Sequence, residues 1–325
     1  MTPQGPAGSS EPEGADGEHL ERLRRERLEM DDRVPRSEGD SLPEFDEQLS
    51  SSSVDDVLWR IDRELVGLAA VKLAVRDMAR RLLADSMRSR SDSSVVRQAV
   101  FLTFSGPPGT GKSTVARRVA ELLFRLRYSR KGHLVVANRD DLVSRTQGEG
   151  VAKVREVFKR AQGGTLLMDD GFLPWIGDPA DYAVEAIGAI PQQMQINREE
   201  VAVLLCGDKP RLDEFFAKHP SLLARTTQKI EFPSYSVDEL MQIAHLLAER
   251  LNYELSPAAG SVLEEFLAAG LREPEFAFAR TVRDAIDRAR LAQAERIYDL
   301  PVSTTAHDRR LIAEEDLRKG VAPLA

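Results

Sequence analysis

The octapeptide Gly106-Pro107-Pro108-Gly109-Thr110-Gly111-Lys112-Ser113 has the spacing GxxxxGK[ST]. An apolar run at 99–104 precedes it, and Val115, Val119, Leu122 and Leu126 recur after it at helical intervals. Strand, glycine-rich loop and helix in that order make a phosphate cradle. The glycines let backbone N–H groups close around anionic oxygens, and the helix N-terminus adds partial positive charge. Lys112 is expected to reach the β and γ phosphates, exposed to them and outside the core, and Ser113 to ligate magnesium. Pro107, Pro108, Gly109, Thr110, Gly111, Lys112, Ser113 and Thr114 are therefore the expected contacts for ATP and Mg2+.

A second group of acids lies downstream, where Leu166-Leu167-Met168-Asp169-Asp170 ends an apolar run in two carboxylates. In this layout the first acid, Asp169, holds magnesium and the second, Asp170, polarises the attacking water. Glutamate is the common residue for the second task. Aspartate is one methylene shorter, and hydrolysis depends on placing a water within a fraction of that length. The reading in which both acids cap a helix and Asp169 alone functions stays open.

Positioning such groups takes a sheet. Apolar runs at 99–104, 133–137, 165–168, 201–205 and 228–232 alternate with helical patterns, which predicts five parallel strands covered on both faces. Ahead of them, Ser53 and Asp56 have capping-box spacing, and Val54, Val57, Leu58, Ile61 and Leu65 then recur as one helical face. Val71, Val75, Met78 and Leu82 mark a second helix after the turn at 65–68. Beyond Phe232-Pro233 the strand signals stop. Ser236 and Glu239 form another capping box, Ser256-Pro257 opens a helix that Gly270 can end with a left-handed cap, and Phe278, Val282, Ile286 and Ala289 trace a further helix. The expected organisation is a tail over 1–52, an α/β nucleotide-binding domain over 53–234 and a small all-α domain over 235–325.

Composition narrows the class further. The formal net charge of -8 sits almost wholly in the first 53 residues, which hold 14 acids against 6 bases and leave 39 of each elsewhere. A near-neutral body lacks the footprint of a nucleic-acid-binding protein. The Gly-, Ser-, Pro- and Glu-rich tail buries too little apolar surface to offset chain entropy and is expected to be disordered, with a short charged helix possible within 19–30. No run approaches the roughly 18 apolar residues that span a bilayer, and no leader pattern opens the chain, so a cytoplasmic protein without membrane contact is expected. Cys206 is the single cysteine and the five histidines are scattered, which argues against a disulfide and a transition-metal centre.

From about Val54 to Leu317 the chain resembles the CbbX family of red-type Rubisco activases, within the AAA+ class. The resemblance rests on Asp62-Arg63-Glu64-Leu65-Val66-Gly67-Leu68, Lys131-Gly132-His133-Leu134-Val135 and Arg139-Asp140-Asp141-Leu142-Val143. Phe232-Pro233-Ser234-Tyr235-Ser236, Asp238-Glu239-Leu240, Ala279-Arg280 and Asp287-Arg288-Ala289-Arg290-Leu291 extend it. It implies a ring, usually hexameric, of one chain or of mixed subunits. That ring would spend ATP to release inhibitory sugar phosphates from red-type Rubisco, under regulation by ribulose bisphosphate. Val66 and Gly67 would line the adenine site. Arg225 would reach the neighbouring subunit's γ-phosphate, a task suited to a permanently charged planar fork. Arg280 would bridge from the small domain to the same nucleotide; for both arginines the reading as an ordinary surface side chain stays open.

Three positions depart from the family pattern: Thr146, Gln147 and Gly148 stand where it carries a client-gripping Tyr-Ile-Gly, Asp170 replaces a glutamate, and Leu223 replaces an arginine. An aromatic ring supplies most of a non-specific grip. Three readings follow: an active motor for Rubisco, a reduced or regulatory subunit of a mixed ring, and an AAA+ ATPase of another pathway with a different client.

Overall fold

A computed structural model of the chain describes residues 54–91, 99–144, 146–169, 183–298, 305 and 307–322. The expected disordered tail and the short helix within it lie outside the described residues, as do Ser53 and Asp170.

Strands β1 (Phe101–Ser105), β2 (Leu134–Ala137), β3 (Thr165–Met168), β4 (Ala202–Gly207) and β5 (Gln228–Glu231) form one sheet in the order β2-β3-β4-β1-β5. Every pairing in it is parallel, as expected. Strand β4 reads as an unbroken apolar run because both its faces are covered, whereas the edge strand β5 is Gln-Lys-Ile-Glu with Lys229 and Glu231 exposed and Ile230 buried. In β4, Leu204 and Cys206 join Leu102 and Phe104 in one core, while Val203 and Leu205 join Phe101, Leu166 and Met168 in the other. Successive side chains point to opposite faces, so a sheet packed on both sides has no polar register.

Three helices cover the first face: α1 (Val54–Glu64), α2 (Ala69–Ser91) and α3 (Lys112–Arg125) bring Val57, Ile61, Val71, Val75, Val115 and Val119 into its core. The other face takes α4 (Arg139–Leu142), α5 (Glu149–Arg160), α6 (Ala183–Ile196), α7 (Lys209–Lys218) and α8 (Pro220–Leu223) through residues such as Phe158, Ile187 and Phe215. Charges also join α1 to α3. Arg118 donates to both carboxylate oxygens of Glu64, at 2.7 and 2.9 Å, and to Glu121 at 3.2 Å, while Arg60 donates to Glu121 at 2.6 Å.

After β5 the chain becomes helical: α9 (Val237–Arg250), α10 (Pro257–Gly270), α11 (Phe278–Tyr298) and α12 (Glu314–Val321). The expected capping box opens α9, with Ser236 Oγ accepting from Glu239 N and Glu239 Oε2 accepting from Ser236 N at 2.8 Å. Two details differ from the sequence reading. The two-residue strands β6 (Glu254–Leu255) and β7 (Leu311–Ile312) pair in parallel, and segments so short carry no readable period. At the end of α10 there is no left-handed cap: Leu271 caps the helix at φ -59°, and the ring of Phe276 closes over Gly270, where a Cβ would meet it at 2.6 Å. Among the described residues, no helix is long and apolar enough to cross a membrane.

Candidate nucleotide site at the carboxyl ends of the strands

In open parallel sheets ligands bind beyond the carboxyl ends of the strands, where chain connections diverge. Here that crevice holds the loop between β1 and α3. Gly111 precedes α3 with φ 92°, and no side chain caps the helix, so its amino end is offered to an anion. Thr110 is fully buried, its hydroxyl donating to Pro107 O at 2.8 Å.

Lys112 stands differently from the expectation of an exposed ammonium. It is only 5% exposed, and its Nζ donates to Gly106 O at 2.7 Å and Pro107 O at 2.9 Å. Those carbonyls follow from the sequence: Pro107 and Pro108 have no N–H, so this stretch of loop offers acceptors and the lysine supplies the donor.

Ser113 and Asp169 are 56 positions apart in the chain, yet Ser113 Oγ donates to Asp169 Oδ2 at 2.9 Å. The first turn of α3 supplies the hydroxyl and the residue after β3 supplies the carboxylate. A hydroxyl and a carboxylate side by side are the hard oxygen donors that Mg2+ takes, together with phosphate oxygens and water. Among the described residues no cluster of three or more His, Cys, Asp or Glu forms an alternative metal site.

The C-terminal helices close over the loop. Ala279 N donates to Gly109 O at 3.2 Å, and Tyr235 Oη donates to Thr110 O at 3.3 Å. Gly109 has φ 74°, and a Cβ there would lie 1.8 Å from Ala277 O, so only glycine fits. Arg280 is exposed, with its backbone N just 3.3 Å from that same point, beside the loop. The Val66-Gly67 turn joins the same neighbourhood. Its neighbours Leu65 and Leu68 approach Gly111, and a Cβ on Gly67 would strike the Glu239 carboxylate at 2.1 Å.

Arg225 is not brought to this site. It is exposed, follows α8 and donates to Gln195 Oε1 at 2.6 Å. Thr227 N bonds Phe101 O, at the amino ends of β1 and β5, whereas the phosphate loop follows their carboxyl ends. Five strand residues, about 16 Å, separate the two levels. Thr146 and Gln147 are also exposed, on a loop fastened by Gly148 N to Glu185 Oε2 at 2.7 Å.

Tyr235, Glu239, Ala277 and Ala279 were not assigned to the site from sequence. Tyr235 precedes the Ser236 cap, where an aromatic reads as the outer half of a hydrophobic staple and its polar tip goes unnoticed. The two alanines act through main-chain atoms and carry no side-chain signal.

In comparison with known proteins, two family models match the chain. Residues 102–170 match the family described as ATPases associated with various cellular activities (AAA), and residues 236–323 match the AAA lid domain. The chain is 40% identical over 279 residues to the plasmid-encoded protein CbxX of Cupriavidus necator, covering 85% of this chain and 88% of that one. It is 40% identical over 275 residues to protein CbbX of Cereibacter sphaeroides, covering 83% and 88%. To the chloroplastic ribulose bisphosphate carboxylase/oxygenase activase of Cyanidioschyzon merolae it is 37% identical over 274 residues, covering 84% and 94%.

Proposed function

Because the chain belongs to the CbbX family of AAA ATPases, we propose that it binds Mg-ATP in the cradle of the phosphate loop, beside Ser113 and Asp169, and uses hydrolysis to free red-type Rubisco of inhibitory sugar phosphates. In this reading residues 53–234 are the nucleotide-binding unit and 235–325 the lid. The observation that carries it is the Ser113–Asp169 contact at 2.9 Å, which unites a P-loop hydroxyl and a strand-end carboxylate from distant parts of the sequence.

Each residue then has a task. The loop N–H groups and Lys112 hold the phosphates, and Ser113 with Asp169 would hold magnesium, which supplies charge neutralisation at the phosphate oxygens. Asp170 orients the attacking water. Val66 and Gly67 line the base pocket, and Arg280 senses the nucleotide from the lid. Arg225, at the far end of the sheet, serves the next subunit of a ring. Ribulose bisphosphate is the proposed regulator.

The exposed Thr146-Gln147 segment favours a second reading, in which this chain works best in a mixed ring beside subunits with an aromatic loop. One experiment addresses both: phosphate release and Rubisco reactivation measured with and without ribulose bisphosphate, for the chain alone and mixed with a relative such as CbbX. Stimulated turnover by the chain alone supports the motor, and reactivation only in the mixture supports the second reading. No turnover in either setting rejects both.

A further inference from the structure

The phosphate loop and the lid meet through main-chain carbonyls. Tyr235 Oη donates to Thr110 O at 3.3 Å, and Ala279 N donates to Gly109 O at 3.2 Å. In a trans peptide the carbonyl of one residue and the N–H of the next lie in one plane and point in opposite directions. A donor that pins the Thr110 carbonyl on the lid side therefore aims the Gly111 N–H away from the lid residue. The bond to the Gly109 carbonyl does the same for the Thr110 N–H.

Neither of those two N–H groups donates to an acceptor among the described residues, although Thr110 is fully buried. A buried N–H without a partner is costly, and successive N–H groups around a left-handed residue such as Gly111, at φ 92°, form an anion-binding concavity. The loop is thus held with its acceptors turned outward onto the lid and two of its donors turned inward.

Resting on the nucleotide reading above, we propose that Tyr235 is a positioning residue for the phosphates: its hydroxyl fixes the Thr110–Gly111 peptide plane so that the Gly111 N–H faces the bound phosphate. The surroundings suit the task. Tyr235 is 5% exposed, and its ring packs 6.5 Å from that of Phe278, which opens α11 next to Ala279. Burial, with the Glu239 carboxylate nearby, raises the phenol well above its ordinary pKa, so the hydroxyl stays a donor at any pH the protein meets. Without that donor the Thr110 carbonyl can rotate toward the cradle, setting a partial negative charge against phosphate oxygens.

The test compares ligands with and without phosphate on the full-length chain. ADP affinity is measured by calorimetry and adenosine affinity by competition, for wild type and for Tyr235→Phe, which keeps the ring and its packing. A neutral hydrogen bond lost from the cradle's support is expected to weaken ADP about three- to tenfold and to leave adenosine within a factor of two. Equal weakening of both ligands would make Tyr235 part of the base pocket or of lid packing and overturn the proposal. Unchanged ADP affinity would overturn it as well. A wild-type chain that binds adenosine but not ADP would remove the phosphate site itself, and with it the nucleotide reading on which the proposal rests.

Discussion

At the scale of single residues, the Ser113–Asp169 contact gives the most direct prediction. Asp169→Asn keeps the size and the hydrogen bond but removes the charge. Magnesium should then no longer strengthen ATP binding, and turnover should fall on the order of 100-fold, read by calorimetry with and without Mg2+ and by phosphate release. Lys112 has a structural side that its motif does not announce. Because its ammonium satisfies two loop carbonyls, Lys112→Ala should cost about 1–3 kcal/mol of unfolding free energy in urea without nucleotide, besides abolishing tight ATP binding. An unchanged urea midpoint would return the lysine to the purely phosphate-facing role that the sequence suggests. Asp170→Glu should raise turnover if the short acid holds the water poorly; a slower enzyme would mean the site has adapted around aspartate. The P-loop was legible because its residues are contiguous and each type has a local reason. Tyr235 and Ala279 were not, because the groups they meet lie 125 or more positions away in the chain and are main-chain atoms.

At the scale of elements, the clearest coupling is between α1 and the P-loop helix α3, through Arg118, Glu64, Glu121 and Arg60. Burial works against the charge of Arg118, and Glu64 and Glu121 more than compensate, leaving its pKa raised. Removing Glu64 leaves Arg118 in a partly dry setting with Glu121 alone, a carboxylate that it shares with Arg60. Glu64→Ala should therefore cost about 2 kcal/mol, between an exposed pair and a fully buried one, measured by chemical denaturation. A loss within experimental error would mean that water screens the pair. The central strands could be read from sequence because two-sided burial makes them largely apolar, whereas the edge strand β5 was legible only through buried Ile230 and the Phe232 that follows it. The ends of elements were harder. Gly270 matches a left-handed cap in type, yet its lack of a side chain serves the Phe276 ring, a tertiary contact that local pattern does not contain. The β6–β7 pair spans 57 positions between partners and has two residues on each side, so neither period nor proximity reveals it.

At the scale of the whole molecule, Arg225 and the phosphate loop sit at opposite ends of the sheet, so within one chain they cannot meet. Arg225→Ala should leave ATP binding nearly intact and depress hydrolysis up to 10³-fold or more if the arginine completes a neighbour's site. Mixing Arg225→Ala with Lys112→Ala should then restore part of the turnover, since some neighbours pair an intact pocket with an intact arginine. Two inactive variants that stay inactive when mixed in assembled rings would refute action between subunits. Thr146→Tyr should increase Rubisco reactivation by the chain alone if grip limits it, with ATP turnover little changed. The seam between loop and lid bears on how such proteins diverge. Gly109 O meets Ala279 N, and Ala277 O covers Gly109, so two of its contacts are written in main chain and make no demand on side-chain identity beyond one glycine. Lids should therefore be interchangeable across large sequence distances. A chimaera carrying residues 236–323 from a relative 40% identical, with Tyr235 retained, should still bind ADP within a few-fold of the parent.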